Sequence, residues 1–268
     1  MLSRYYHTIR HLKPIQIRYQ LYYRLRKKFR ILIGFKYPLS IEKEGYAVKL
    51  IPPIPRYNSF DNYTFTFLNQ TKIFSKYTID WNYSNYGKLW TYNLNYFDFL
   101  LQPEIDSKTC WELIENFISN LNDNSIGLEP YPISLRGINW IKFISHILRS
   151  HVLTLSSSHL LKLSSSLYAQ YQILMDNLEY HLLGNHLLEN GFSLLFGAFY
   201  FKDKELYTKA YKIIAEQLQE QILDDGGHFE LSPMYHQIIL DRLLDCINLL
   251  QNNQRFDNQE NLLKKMEE

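Results

Sequence analysis

From about Asp106 to Leu250 the apolar residues recur every three or four positions, segment after segment. A chain patterned in this way can bury them only as a set of packed amphipathic helices. Asp106 or Ser107 can cap a helix whose face is Trp111, Ile114, Phe117, Ile118 and Leu121. A second helix is predicted from about Pro132 to Ser150 on Ile138, Ile141, Ile144 and Leu148. A third runs from Ser158 to Glu179 on Leu160, Leu163, Leu167, Tyr171, Leu174 and Leu178. A fourth follows Gly184, a fifth covers about Lys204 to Leu223, and a sixth starts at Ser232-Pro233 and reaches about Leu250. Helices joined by short turns lie antiparallel as hairpins, which is how an α/α barrel or toroid is wound. The expected class is therefore all-α, and 268 residues with 46% hydrophobic content suffice for one large helical domain or two small ones.

Ahead of the helical region the pattern changes. Residues 1–30 hold nine Arg or Lys, among them Arg4, Arg10, Lys13 and Arg18, and no acidic residue. Within this basic arm Ile15, Tyr19, Tyr22, Tyr23 and Leu25 suggest a short amphipathic helix from about Pro14 to Phe29. It is expected to pack on the domain with its Arg/Lys face in water rather than to touch a membrane surface. Pro38, Pro52, Pro53 and Pro55 make residues 38–60 irregular, and the alternation of Tyr63 to Phe67, with Lys72-Ile73-Phe74 beyond, predicts a small β-hairpin over about 63–74. The expected organisation is an arm over 1–60, a helical domain over 61–250, and a polar tail over 251–268 that ends without a folded-domain signal.

A formal charge of +2 demands neither nucleic acid nor another strongly charged partner. Cys110 and Cys246 sit in apolar helical patterns and are expected as buried free thiols; no metal-type cysteine spacing exists. The basic start lacks the apolar core of a secretory signal, which favours a cytoplasmic protein, or a periplasmic one if the true N-terminus lies upstream. No run of about 18 apolar residues predicts a membrane span. The aromatic content, 22 Tyr and 16 Phe, suits either packing between helices or a cleft for sugar rings, as in the run Tyr92, Asn93, Leu94, Asn95, Tyr96.

Two segments place polar groups at a helix start, where unpaired N–H groups and the dipole favour negative charge, and a third candidate lies near Glu129. After Gly184, Asn185 and Glu189 are spaced i, i+4 and His186 and Glu189 i, i+3, so amide, imidazole and carboxylate can share one side; Asn185 can equally be a simple N-cap. After the Gly226-Gly227 turn, Tyr235 and His236 fall in the first turn of the sixth helix, as reactive groups or as plugs of a helix end. Near Glu129, the residues Arg136, Asn139 and Trp140 are spaced i, i+3, i+4 and offer a carboxylate clamp, an amide and a stacking plane, unless Arg136 merely pairs with Glu129.

Together, Trp90 to Phe99, Glu129 to Arg136, Gly184 to Asn190 and Gly226 to His236 resemble, in order, the helical domain of heparinase II/III-like polysaccharide lyases. The resemblance implies an incomplete (α/α) toroid with a substrate groove, followed in the family by an antiparallel β-sandwich, which is expected to be absent here and which a separate polypeptide could supply. It also implies β-elimination on uronic-acid polysaccharides, glycosaminoglycan-like or acidic bacterial, with neither metal nor cofactor. By motif, Asn185 matches the residue that neutralises the uronate carboxylate, His186 and Glu189 its neighbouring histidine and acid, and Tyr235 the catalytic tyrosine. Arg136, Asn139, Trp140, Tyr92, Asn93, Tyr96 and His236 are the expected substrate contacts. Two readings of other classes stay open: a non-catalytic module that binds glycan or a partner, and a toroidal glycoside hydrolase using Glu189 and Glu230.

Overall fold

The computed structural model describes residues 10–52, 54–103, 105–150 and 156–268; Arg4 of the basic arm and Pro53 lie outside them. Among the described residues the chain forms nine α-helices and one small sheet: α1 (Pro14–Leu32), β1 (Phe60–Asp61), β2 (Thr64–Phe67), β3 (Gln70–Ile73), α2 (Lys88–Tyr96), α3 (Ser107–Ser119), α4 (Pro130–Ser150), α5 (Ser157–Asp176), α6 (Gly184–Phe201), α7 (Lys204–Gln221), α8 (Pro233–Asn252) and α9 (Gln259–Glu267). The architecture is all-α and toroid-like, as the three-to-four periodicity requires. The strands form an antiparallel sheet in the order β1-β2-β3, whose Phe65 and Phe67 pack on Trp90 of α2 and on Phe99.

Helix α6 is the hub. Every residue from Leu187 to Phe201 is buried, as expected for a helix that is apolar on all sides. Two glycines let its neighbours approach closely. A Cβ on Gly191 would lie 2.9 Å from Ile213 of α7, and one on Gly197 would lie 2.7 Å from the Tyr171 ring of α5.

An extended strap before β1 establishes which ends of the helices lie together. Tyr46 N–H donates to Tyr200 O of α6, Val48 N–H to Ser145 Oγ of α4, Ile51 N–H to Asn248 Oδ1 of α8, and Ile41 N–H to Ser165 O in the first half of α5. The C-terminal halves of α4, α6 and α8 therefore share one end with the beginning of α5, and α7 begins there too because it follows α6 directly. The starts of α4, α6 and α8 lie together at the opposite end, as helical hairpins wound in succession dictate.

Three expectations are corrected. The segment read as a polar tail folds as α9, because Leu262 and Met266, one turn apart, are buried in the core. The Trp90 segment, read as inter-helix packing or a cleft lining and not as a helix of its own, is helix α2. Helix α1 is anchored through tyrosines and arginines, with Tyr23 donating to Leu178 O at 2.5 Å and Arg26 and Arg30 on Asp176 at 2.8 and 2.7 Å. Its leucines, not its whole cationic face, turn outward. Cys110 and Cys246 are free and buried, as read from their apolar settings.

Candidate active site

The site is built where α4, α6 and α8 begin. Leu183 and Gly184 both hold positive φ, 61° and 57°, a strained conformation for leucine. The chain thereby turns sharply out of the loop after Glu179, and Asn185 and His186 arrive in the first turn of α6. The Asn185 side chain makes no hydrogen bond among the described residues. His186 Nδ1 lies 3.1 Å from Glu179 Oε1. A carboxylate can only accept, so against an ionised Glu179 the proton sits on Nδ1 and Nε2 of a neutral ring is left with its lone pair.

Glu179 is itself fixed from below. Asn190 Nδ2 donates to Glu179 Oε2 at 3.0 Å and to Ser134 Oγ at 3.1 Å, while Asn190 Oδ1 accepts from Glu179 N–H at 2.9 Å. The Tyr131 ring, in the first turn of α4, lies 4.7 Å from the His186 ring, and Tyr131, Tyr96 and Tyr92 follow one another at 5.9 and 6.1 Å. Burial pushes all three phenols upward in pKa, so they remain protonated rings with hydroxyl rims. The His186 side chain stays 37% exposed.

Helix α8 joins this end from the other side. Gln221 and His228 bracket a small hairpin: Leu223 N–H donates to Gly227 O, and Phe229 N–H to Gln221 O. Gly226, at φ 81°, makes its turn, as the Gly226-Gly227 pair predicts. The turn brings Glu230 Oε1 to 3.9 Å from the place a Cβ on Gly184 would occupy, so the approaches to α6 and α8 lie side by side. Deeper, Arg242 Nε donates to Glu189 Oε1 at 2.9 Å. Tyr235 lies seven residues before Arg242 and hence on the same stripe of α8, about two turns nearer the helix start. Asn185 lies one turn above Glu189. The parallel axes thus carry the phenol and the amide to one end of the bundle. Tyr235 is half-buried and His236 exposed.

The helix starts differ in capping. Asp106, Ser156 and Asp203 accept N–H bonds at the starts of α3, α5 and α7. Helices α6 and α8 have no side-chain cap, which leaves N–H donors and the positive dipole end for an anion.

The depth of the remaining sequence-predicted residues decides their role. Arg136 is fully buried and holds Gln170 Oε1, Asn95 O and Gly127 O; neither a substrate clamp nor a pair with Glu129, it is scaffold, its pKa drawn down to about 9 by burial. Asn139 is buried, donating to Tyr96 O and Asp98 Oδ1 at 2.8 and 2.7 Å. Trp140 is 0% exposed, edge-on to Phe97 and Phe117, so it is core and not a stacking plane. All three lie about two to three turns into α4. Tyr92 donates to Glu129 Oε2, with Lys88 on the same carboxylate; Asn93 bonds back to Leu89 O. Glu189 is 1% exposed; burial raises its pKa while Arg242 opposes the rise, and its Oε2 has no hydrogen-bond partner among the described residues.

A family model described as the heparinase II/III N-terminus matches residues 132–265. The chain belongs to this family. The matched span of the heparinase II/III domain runs from the first turn of α4 into α9 and contains Asn185, His186, Glu189, Tyr235 and His236, while Tyr92, Asn93 and Tyr96 lie before it. Comparisons with curated proteins and with solved structures give no match. Four residues around the site escape a reading by spacing: Glu179, Asn190, Tyr131 and Arg242. Glu179 stands seven residues before His186 across a loop, and Arg242 stands 53 residues from Glu189. No single helix spans either separation, so periodicity does not reveal them, although Asn190 and Tyr131 do lie inside the motifs that carry the family resemblance.

Proposed function

We propose that this domain cleaves uronic-acid polysaccharides by β-elimination. The observation that carries the reading is the meeting of a carboxylate-held imidazole, an unpartnered amide and uncapped helix starts at one end of the bundle, with Tyr235 in the first turn of α8. Removing the proton alpha to a uronate carboxylate builds a second negative charge on that group. The Asn185 amide and the N–H groups of α6 are suited to stabilise it. His186 Nε2 or Tyr235 Oη takes the proton, its electron pair forms the C=C bond, the bond to the glycosidic oxygen breaks, and a proton from Tyr235 neutralises the leaving oxygen. Beside the site, a cleft of about 940 Å3 passes from His181 and Pro130 to Lys27 and Lys36, with Tyr23 and Tyr37 in its lining and Asp123 as its carboxylate. Its cations and rings suit an acidic sugar chain. A two-carboxylate hydrolase is disfavoured, because Glu189 is sealed beneath the surface and engaged by Arg242.

The test is ultraviolet absorbance of the unsaturated product. The chain, alone and with a family β-sandwich domain added as a second polypeptide, is incubated with glucuronate-, iduronate- and mannuronate/guluronate-containing polymers. New absorbance that falls about 10²–10⁴-fold in Tyr235→Phe supports the reading. Saturable binding without absorbance, unchanged in that variant, replaces it with a non-catalytic glycan module.

A further inference from the structure

We infer that the outer ridge of α1 is a docking face for a lipid bilayer rich in anionic headgroups. Gln16, Tyr19, Tyr23, Arg26 and Arg30 form the stripe that faces the domain: Gln16 donates to Leu182 O, Tyr19 stacks on Tyr180 at 4.7 Å, and both arginines meet Asp176. The opposite stripe is apolar. Leu21 is 56% exposed, Leu25 68% and Leu32 83%, with Phe29 beside them at 60%, and no residue of the helix is buried. Four large apolar side chains in one line exceed the scattered exposure ordinary for a surface helix.

The charges around the ridge identify its partner. Arg18, Arg24 and Lys28 flank it, are exposed, and make no ion pair among the described residues. No acidic residue occurs in the sequence before Glu42. A second copy of the chain laid on this face would set like charges against each other. A protein partner would need a matching acidic surface around an apolar seam. An anionic bilayer meets both demands at once, taking the leucines and Phe29 at the acyl boundary while the long cationic stems reach the headgroups. The helix would lie in the plane of the surface, since none of the described helices is long and apolar enough to cross a membrane.

The inference rests on α1 alone and is independent of the lyase reading. Its test is co-sedimentation of the full chain with vesicles of phosphatidylcholine, with and without equimolar phosphatidylglycerol. Binding is expected to the anionic vesicles, to weaken with salt, and to fall more than about ten-fold in Leu21→Glu/Leu25→Glu. Arg24→Gln and Lys28→Gln are expected to cost about five-fold each. The substituted side chains are exposed, and an unchanged thermal transition verifies that each variant is folded. No sedimentation with anionic vesicles, binding that survives Leu21→Glu/Leu25→Glu, or a concentration-dependent dimer abolished by that variant would each overturn the inference.

Discussion

At the end of the bundle crossed by the strap, α5 and α7 begin under their own caps, with Ser156 accepting from His159 N–H and Asp203 from Glu205 and Leu206 N–H. At the opposite end α6 and α8 begin at Leu183 and Ser232 with no side-chain cap. A missing cap costs about 0.5–2 kcal/mol at each start. The strap end is thus completed by the chain itself, in Asp203, Tyr200 and the backbone bonds of residues 41–51. The open end keeps donors unfilled and holds His186, Asn185 and Tyr235 above a buried layer of Glu179, Asn190, Glu189 and Arg242. In this molecule the capped and the uncapped helix starts are divided between opposite ends of one bundle.

The largest effect that sharpens this contrast is expected in Asn185→Ala. Its side chain makes no hydrogen bond among the described residues, so unfolding free energy should stay within about 0.5 kcal/mol. Turnover should fall about 10²–10³-fold if the amide stabilises the developing charge. A loss of stability with unchanged turnover would break the contrast. Next, Glu179→Gln replaces the buried carboxylate that orients His186 and is expected to cost about 1–3 kcal/mol in urea unfolding, and to lower the rate as well. At the strap end, Asp203→Ala should cost about 0.5–2 kcal/mol with turnover unaffected, since among the described residues the side chain serves the α7 start, Tyr168 and Lys43. An equal loss of rate would show that the ends are coupled.

The smallest expected effect concerns pH. His228 is 2% exposed, and its Nε2–H donates to Gln221 Oε1 while Nδ1 is buried with no hydrogen-bond partner among the described residues. Burial lowers its pKa below the usual histidine value. The neutral ring is therefore the folded form. Its contribution is complete above an unfolded value near 6.5 and is lost as pH falls from there through the lower folded value. His228→Gln should flatten that part of the stability-pH curve, measured by urea unfolding at a series of pH values. An unchanged slope would show that protonation of His228 contributes nothing to acid destabilisation.

Much of this architecture was legible in the residues. The starts at Asp106, Gly184 and Ser232-Pro233, the small sheet near Tyr63, and the motifs around Gly184 and Gly226 all correspond to elements of the fold. Depth was less legible. Arg136, Asn139 and Trp140 share a helical side as their spacing requires, yet that side faces Phe97, Phe117, Tyr96 O and Gln170 inside the molecule. Spacing assigns a face to a residue but not the neighbour opposite it. Helices α2 and α9 were missed because each has only nine residues, too few for a period to stand out from the surrounding loops.

The sequence by itself determined the helical class, the order of the hairpins and the residue types available at each helix start, because propensity, capping and apolar period act within a few positions of the chain. The tertiary structure alone decided which starts share an end, that Glu179 rather than Glu189 holds His186, and that the leucines of α1 point away from the domain. Those outcomes depend on contacts between residues far apart in the chain, Glu189 with Arg242 and Tyr46 with Tyr200 among them, and local periodicity does not encode such contacts.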